Sequence, residues 1–538
     1  MKKFVYTIFL MAIIILSNSC TERIEPVTPR DWDNTTYLFT TEDEPQSLTY
    51  YKPYSGFIGD PMPFFDPVSK KFIVSYLQEY RPNLAGTYHP IWAVCTEDAV
   101  HYESLGEIIP CGGITAQDAA LGTGSVIWSE EQQLYYFFYT GNKYLPSASE
   151  NAEAVQYATS PDFKTWTKNE LFVLRGNDYG YSQNDFRDPE IFRTDDGVYH
   201  MIVATKVGSK GTLAEFTSTD LQAWTSAGAF MNMMYADRFY ECPNVFKMGD
   251  WWYLVYSEKH AAIRKVQYFK GKTLDALKAC TANDAGIWPD DHEGFLDSRG
   301  LYAGKTASNG TDRYLWGWCP TRSGKDNTKT DNGAGEPDWA GSLVAHKLIQ
   351  HADGSLTLGP APLMAERYNL AHDVKVMRQQ GTVAQVGEEW TLSGDANILL
   401  NRLERHNHLH MVVTTATAED KFAISLCRGT KMTSDADSSV YYSLVVNPEG
   451  ATTRKINFEQ EGEGGKGFIA DIDSYMFRTP TDNVYEIDIF TDNSVMVMYI
   501  NDVLCYTNRV YCSAKNCWSI NSYGTASISV RDLRVSYY

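Results

Sequence analysis

Among the acidic residues of this 538-residue chain that stand one or two places before a proline are those of Gly59-Asp60-Pro61, Arg187-Asp188-Pro189 and Glu241-Cys242-Pro243. Proline removes a backbone donor and is tolerated mainly at strand starts, edges and turns. Each carboxylate is therefore either a solvated loop residue or a group placed for chemistry. Two carboxyl groups flanking a glycosidic bond suffice to hydrolyse it, one as the acid and the other as nucleophile or base. A third can hold sugar hydroxyls and stabilise an oxocarbenium-like transition state. The acid needs a raised pKa, which burial or a like-charged neighbour supplies. Groups so far apart in sequence act together only if a repeated fold brings them to one place.

The sequence contains such a repeat. "TEDAVHYESL" from Thr96, "SPDFKTWTKN" from Ser160 and "STDLQAWTSA" from Ser218 each read Ser/Thr-x-Asp, three residues, then an aromatic. Short oxygen-bearing side chains satisfy backbone donors in a tight turn, and the aromatic packs against the next strand. Strand-like runs accompany them, such as "QLYYFFYTG" from Gln133, "GVYHMIVAT" from Gly197 and "WWYLVYSE" from Trp251. A period of roughly 60 residues with almost no helical periodicity points to a β-propeller. Five segments open blades: "GDPMPFFD" from Gly59, "GTGSVIW" from Gly122, "FRDPEIF" from Phe186, "YECPNVF" from Tyr240 and "GLYAGKT" from Gly300. Residues at equivalent blade starts converge on one funnel, with Glu241 standing where Asp60 and Asp188 stand in other blades. The expected fold is all-β, a five-bladed propeller over residues 36–363 followed by a β-sandwich over 364–538. "ERYNLAHDVKV" from Glu366 reads as a short linking helix, and "VYEIDIFTDNSVMVMYIN" and "ASISVRDLRVSYY" alternate like half-buried strands.

The bulk numbers narrow the partners. A net charge of −20 argues against nucleic acid and anionic membrane surfaces and favours an uncharged substrate. An aromatic share of 13% suits sheets and sugar-stacking surfaces. The leader "MKKFVYTIFLMAIIILSNSC" has two lysines, an apolar run and small polar residues before Cys20. It reads as a secretory signal over 1–19 whose closing cysteine resembles a bacterial lipoprotein site, with Cys20 lipidated and 20–35 a tether, the alternative being an ordinary cleaved signal with an incidental cysteine. The protein is then expected to be exported and held to a bacterial membrane, the outer one, only through that lipid, on its periplasmic or cell-surface face. The remaining cysteines form no Cys-x-x-Cys pair, so neither zinc, another metal, nor a disulfide framework is expected. Cys512 and Cys517 are close enough in sequence to bridge.

The order Asp-Pro, Arg-Asp-Pro, Glu-Cys-Pro closely resembles glycoside hydrolase family 32, whose members act on β-fructosides. "GTGSV" is similar to the family's Ser-Gly-Ser segment, and "GLYAGKTASNGTDRYLWGWCPTR" to its fifth-blade stretch. "VYEIDIFTDNSVMVMYINDVLCYTNRVY" resembles its sandwich segment. The resemblance implies a five-bladed propeller with a sandwich, no cofactor, and hydrolysis of fructans or fructo-oligosaccharides with retention through a covalent fructosyl-enzyme. Asp60 would be the nucleophile, Asp188 the transition-state stabiliser and Glu241 the acid/base. Gln78, Trp92, Thr123, Arg187 and Tyr302 would bind substrate, and Arg187 would also orient Asp188. Where the family has Trp-Met-Asn-Asp-Pro-Asn-Gly, this chain has Phe57-Ile58-Gly59-Asp60-Pro61-Met62-Pro63. Met62 and Pro63 are then expected to make one pocket wall apolar and stiff, favouring longer fructans over sucrose. On this expectation, asparagines at positions 59 and 62 would improve handling of short substrates. Two other readings stand beside this one: an inverting family 43-like furanosidase acting on arabinose or xylose glycans, and a glycan-binding lipoprotein on a degenerate propeller.

Overall fold

A computed structural model describes residues 48–53, 56–80, 89–144, 146–231, 235–236, 238–258, 265–280, 293–321, 339–428, 440–450, 452–462, 467–511 and 516–538. The expected signal, Cys20 and the tether lie outside these residues.

Five antiparallel four-strand units follow one another along the chain, and each starts at a segment the sequence marks as opening a blade. Their first strands are Phe57–Phe65, Ala120–Ser129, Phe186–Arg193, Tyr240–Met248 and Tyr302–Ser308. The first and fifth units are joined into one sheet where Ile58 pairs with Gly341 of strand Gly341–Gln350. This is a five-bladed propeller.

The second strands show why the sequence lacks a polar face there. In Leu134–Asn142, Tyr135, Phe137 and Tyr139 pack in the core shared with the first blade. Tyr136 and Phe138 pack in the core shared with the third. Alternate side chains leave opposite faces of a strand, and here each face meets a neighbouring blade.

The repeated turn joins the third and fourth strands of the first three blades. Asp98, Asp162 and Asp220 each accept two backbone N–H groups from the residues two and three places on, at 2.8–2.9 Å. The residue after each aspartate, Ala99, Phe163 or Leu221, has φ between 61 and 65°. Tyr102, Trp166 and Trp224 then donate to the carbonyls of those same residues. The aromatic thus closes its own turn.

The C-terminal strands form a β-sandwich from one continuous sheet path that turns over within strand Glu389–Leu400. Residues Ala396–Leu400 pair with Cys517–Tyr523, while Trp390–Ser393 pair with Ser527–Tyr537. No linking helix forms: a 3-10 turn at Ala365–Arg367 is followed by strand Leu370–His372, which pairs with the C-terminal strand. Nor is strand Val495–Ile500 half-buried. All six residues are buried, because Val495, Val497 and Tyr499 face the propeller core and Met496, Met498 and Ile500 the sandwich core. Buried polar groups also bind the two domains together. Arg509 donates to the carbonyls of Cys319 and Pro320 and to Ser342 of the fifth blade. Asp492 Oδ2 accepts the backbone N–H groups of Leu48, Thr49 and Tyr50. Seven described cysteines, Cys517 among them, are in no disulfide, and Cys512 lies outside the described residues. Cys427 is disulfide-bonded.

Candidate active site

Every blade-opening strand carries an irregularity at the same height. Pairing slips between Gly59 and Met62, Gly122 and Gly124, Glu241 and Asn244, and Tyr302 and Lys305, and opposite Asp188-Pro189 in the third blade. A bulged residue leaves the ladder, so the prolines there cost no sheet hydrogen bond. Asp60, Asp188, Cys242 and Ala303 take φ of 40, 59, 51 and 54° at these bulges. Strain of this kind persists only where surrounding structure enforces it, and it clusters at functional sites.

That register corrects the expected equivalence. Cys242, and not Glu241, occupies the place of Asp60 and Asp188. Glu241 stands one residue earlier, level with Gly59, Arg187 and Tyr302, and so points from a different position on its strand.

Hydrogen bonds link the three acids through neighbouring blades. Asp60 accepts from Thr123 Oγ1 at 2.8 Å and from Trp318 Nε1 at 3.0 Å, so each oxygen has a donor. Asp188 accepts the Cys242 backbone N–H at 2.9 Å, and its own N–H donates to Thr140 Oγ1 at 2.8 Å. Glu241 accepts from Arg187 Nη2 at 2.8 Å and from the Tyr302 hydroxyl at 2.5 Å. Beneath them lies a buried ion pair, Lys305 Nζ to Glu190 Oε2 at 2.8 Å.

The electrostatics follow from burial and like charge. Burial and the neighbouring Asp188 charge push the Asp60 carboxyl up to about 6, against the opposing bonds from Thr123 and Trp318. Burial also raises Asp188, with the Arg187 charge pulling the other way. Thr123 and Trp318 thus favour an ionised Asp60, while the site around it favours the proton.

The expected site residues divide. Asp60, Thr123, Arg187, Asp188, Glu241 and Tyr302 come together. Gln78 is fully buried on the adjoining strand Phe72–Glu79, opposite Ile58. Trp92 does not reach the carboxylates. It lies on the third strand of the first blade, 8% exposed, in a core with Tyr76 and Val94. Arg187 does not bond to Asp188. Its guanidinium binds Glu153, Asp185 and Glu241 and stacks on Phe239 at 3.9 Å, and it acts on Asp188 only through its charge. Met62 is no pocket wall either. It is 1% exposed in the core between the first two blades, where the Gly124 N–H points at its sulfur.

Four residues at the site were not anticipated: Thr140, Glu153, Trp318 and Trp339. Trp318 stands in the Trp-Gly-Trp-Cys-Pro stretch, a signal that could have found it. Glu153 and Thr140 had none, because they lie on second and third strands and arrive only through the blade's curvature. Trp339 is 36% exposed, with ring centroids 6.2 Å from Trp318 and 4.5 Å from His89. It lies against Gly59, where a Cβ would fall 2.3–2.9 Å from three carbons of its six-membered ring. Gly59 is thus what lets an indole rest beside Asp60. Gly59→Asn is therefore expected to displace Trp339 instead of improving the site, costing about 1–3 kcal/mol as an overpacking change. Thermal unfolding and tryptophan emission check this. Unchanged stability with unchanged emission would show that the ring does not sit there.

Comparisons with known proteins agree with this architecture. The N-terminal domain of glycosyl hydrolases family 32 matches residues 50–360, and the GH32, BT1760-like, C-terminal domain matches residues 354–535. The chain belongs to glycoside hydrolase family 32. It is 24% identical over 373 residues to the beta-fructofuranosidase insoluble isoenzyme CWINV2 of Arabidopsis thaliana, covering 65% of this chain and 61% of that protein. It is 24% identical over 307 residues to the fructan 6-exohydrolase of Beta vulgaris, covering 52% of this chain and 48% of that protein. The chain thus spans about half to three fifths of these relatives. In fold it is similar to the sucrose-6-phosphate hydrolase of Lactobacillus gasseri, with TM-score 0.66, 18% identity and coverage of 95% and 97% of the two chains. It is likewise similar to the exo-inulinase of Aspergillus awamori, with TM-score 0.66, 15% identity and coverage of 93% and 99%.

Proposed function

We propose that the protein is a retaining β-fructofuranosidase that cleaves fructans or fructo-oligosaccharides. The observation that carries this is the linked trio itself. Asp60, Asp188 and Glu241 sit on the first strands of three blades and are tied through Thr123, Cys242, Arg187 and Tyr302. Asp60, with both oxygens held by donors, is the nucleophile that attacks the anomeric carbon of the fructosyl unit. Glu241 protonates the leaving oxygen and then deprotonates the water that releases the fructosyl group. Asp188 stabilises positive charge developing on the ring and accepts hydroxyls, and Arg187 binds hydroxyls from beside it. Trp339 offers an apolar face at which a sugar ring can stack.

The family 43-like reading shares the propeller and three acids, but the family match, which extends over the sandwich, favours the fructosidase. Product analysis on sucrose, 1-kestose, inulin, levan and arabinan decides. Release of fructose or fructo-oligosaccharides from inulin or levan, with arabinan untouched, is expected. Cleavage of arabinan alone would replace the reading, and cleavage of none would leave a glycan-binding propeller.

A further inference from the structure

The sandwich carries a second constellation, on strands that contribute nothing to the carboxylate trio. Along strand His406–Thr415, the residues His406, His408 and His410 alternate with Asn407 and Leu409. With a side-chain period of two, all three imidazoles share one face. The neighbouring strand Val484–Asp492 places Asp488 opposite His410 and Asp492 opposite His406. His406 is accounted for structurally, since its Nδ1 meets the Asp492 carboxylate that holds the backbone of residues 48–50.

The other two histidines pair with Asp488 instead. Nε2 of His408 and Nδ1 of His410 converge on a single oxygen, Asp488 Oδ1, at 2.6 and 2.9 Å. The three donor atoms lie within 4.8 Å of one another. Their side chains are 13%, 14% and 25% exposed, so the cluster is neither sealed nor fully solvated. His408 and His410 line an open groove together with His372, Trp390, Arg534 and Ser536. The His408 ring is fixed by a parallel stack on Phe490, with centroids 4.3 Å apart.

We propose that His408, His410 and Asp488 form a site for a divalent transition-metal ion of the zinc or nickel class. Two imidazoles and a carboxylate suit such ions, and a three-ligand set leaves a coordination position open towards the groove. Bonds of about 2.0–2.1 Å from a tetrahedral ion place ligand atoms roughly 3.3 Å apart. The two nitrogens must therefore move roughly 0.4–0.7 Å from Asp488 Oδ1, which a part-exposed carboxylate permits. A ring nitrogen that donates to Asp488 must be free of its proton to bind a metal ion, so coordination there requires that proton to move to the other ring nitrogen or to leave. Arg534, which pairs with His410 on strand Ser527–Tyr537, is the cation that opposes binding. Cysteine spacing could not reveal the site, because its ligands alternate along a strand and the third comes from another.

The test uses the full chain, stripped with a chelator and titrated with zinc chloride by calorimetry. One zinc per chain is expected, weakened about 100-fold or more by His408→Gln with His410→Gln. His372→Gln, in the same groove but bonded to Asn401, should leave binding unchanged, and Arg534→Gln should tighten it. Absence of stoichiometric binding, or binding that survives the double substitution, overturns the proposal. If the double variant does not fold, copper(II) electron paramagnetic resonance on the unaltered chain decides. Coupling to two imidazole nitrogens is expected, and a spectrum with oxygen ligands alone overturns the site. None of these readouts depends on the glycosidase reading.

Discussion

Asp60→Asn is expected to lower kcat on fructans by about 10⁴-fold or more, because loss of a nucleophile removes the covalent route altogether. The same substitution should leave the fold intact and raise its thermal stability at neutral pH. Burial, Asp188 and Glu241 all oppose the charge on Asp60, and they hold its folded pKa near 6 against an ordinary value of 3.8. A carboxyl raised in this way contributes stability that is fully present below pH 3.8 and lost as pH rises through 6. The neutral amide carries no such penalty. The melting temperature of the variant should therefore pull ahead of the unaltered protein between those two values. In the unaltered protein, kcat/KM should fall as pH drops below about 6, as the nucleophile takes up its proton. An Asp60→Asn protein that still turns over fructans at a tenth of the normal rate would remove Asp60 from the chemistry. A variant that is less stable at pH 7 would show that the repulsion is not there.

The second large effect concerns Glu241. Glu241→Ala should cost about 10²–10⁴-fold on natural fructans, where the leaving oxygen needs a proton. On an activated fructoside whose leaving group needs none, the first step should recover and the second become limiting. Azide, which attacks without a general base, should then restore turnover and yield a fructosyl azide of retained configuration. Glu241→Gln is expected to behave alike while keeping one bond to Tyr302 or Arg187. Failure of azide to rescue either variant, with the fold intact, would assign Glu241 a binding role. An azide product of inverted configuration would favour the family 43-like mechanism.

The sequence by itself determined the propeller. Its turns are local devices, in which an Asp two residues after Ser or Thr caps its own backbone and an aromatic closes the loop. Such signals survive without tertiary context. So did the trio of acids, because bulged strand starts tolerate proline and the three prolines mark them. The family resemblance of those motifs extended the reading to the sandwich.

What only the tertiary structure decided lies where residues meet across blades or domains. Whether Trp92 or Trp339 faces the site depends on where the fold puts each, Trp92 on the third strand of the first blade and Trp339 just before strand Gly341–Gln350, and residue type alone does not tell them apart. By its place after Asp60-Pro61, Met62 belongs to the pocket, but the bulge there turns its side chain into the core between two blades. Adjacency in sequence pairs Arg187 with Asp188, whereas the bulge sends the guanidinium to Glu153 and Glu241 on neighbouring blades. Strand Val495–Ile500 carries an apolar residue at every position because two domains cover its two faces, and a single sheet's alternation cannot express that. Local hydrogen bonding is written in short runs of residues. Convergence across a bulged and curved sheet depends on how those runs are stacked, and that is settled only when they pack.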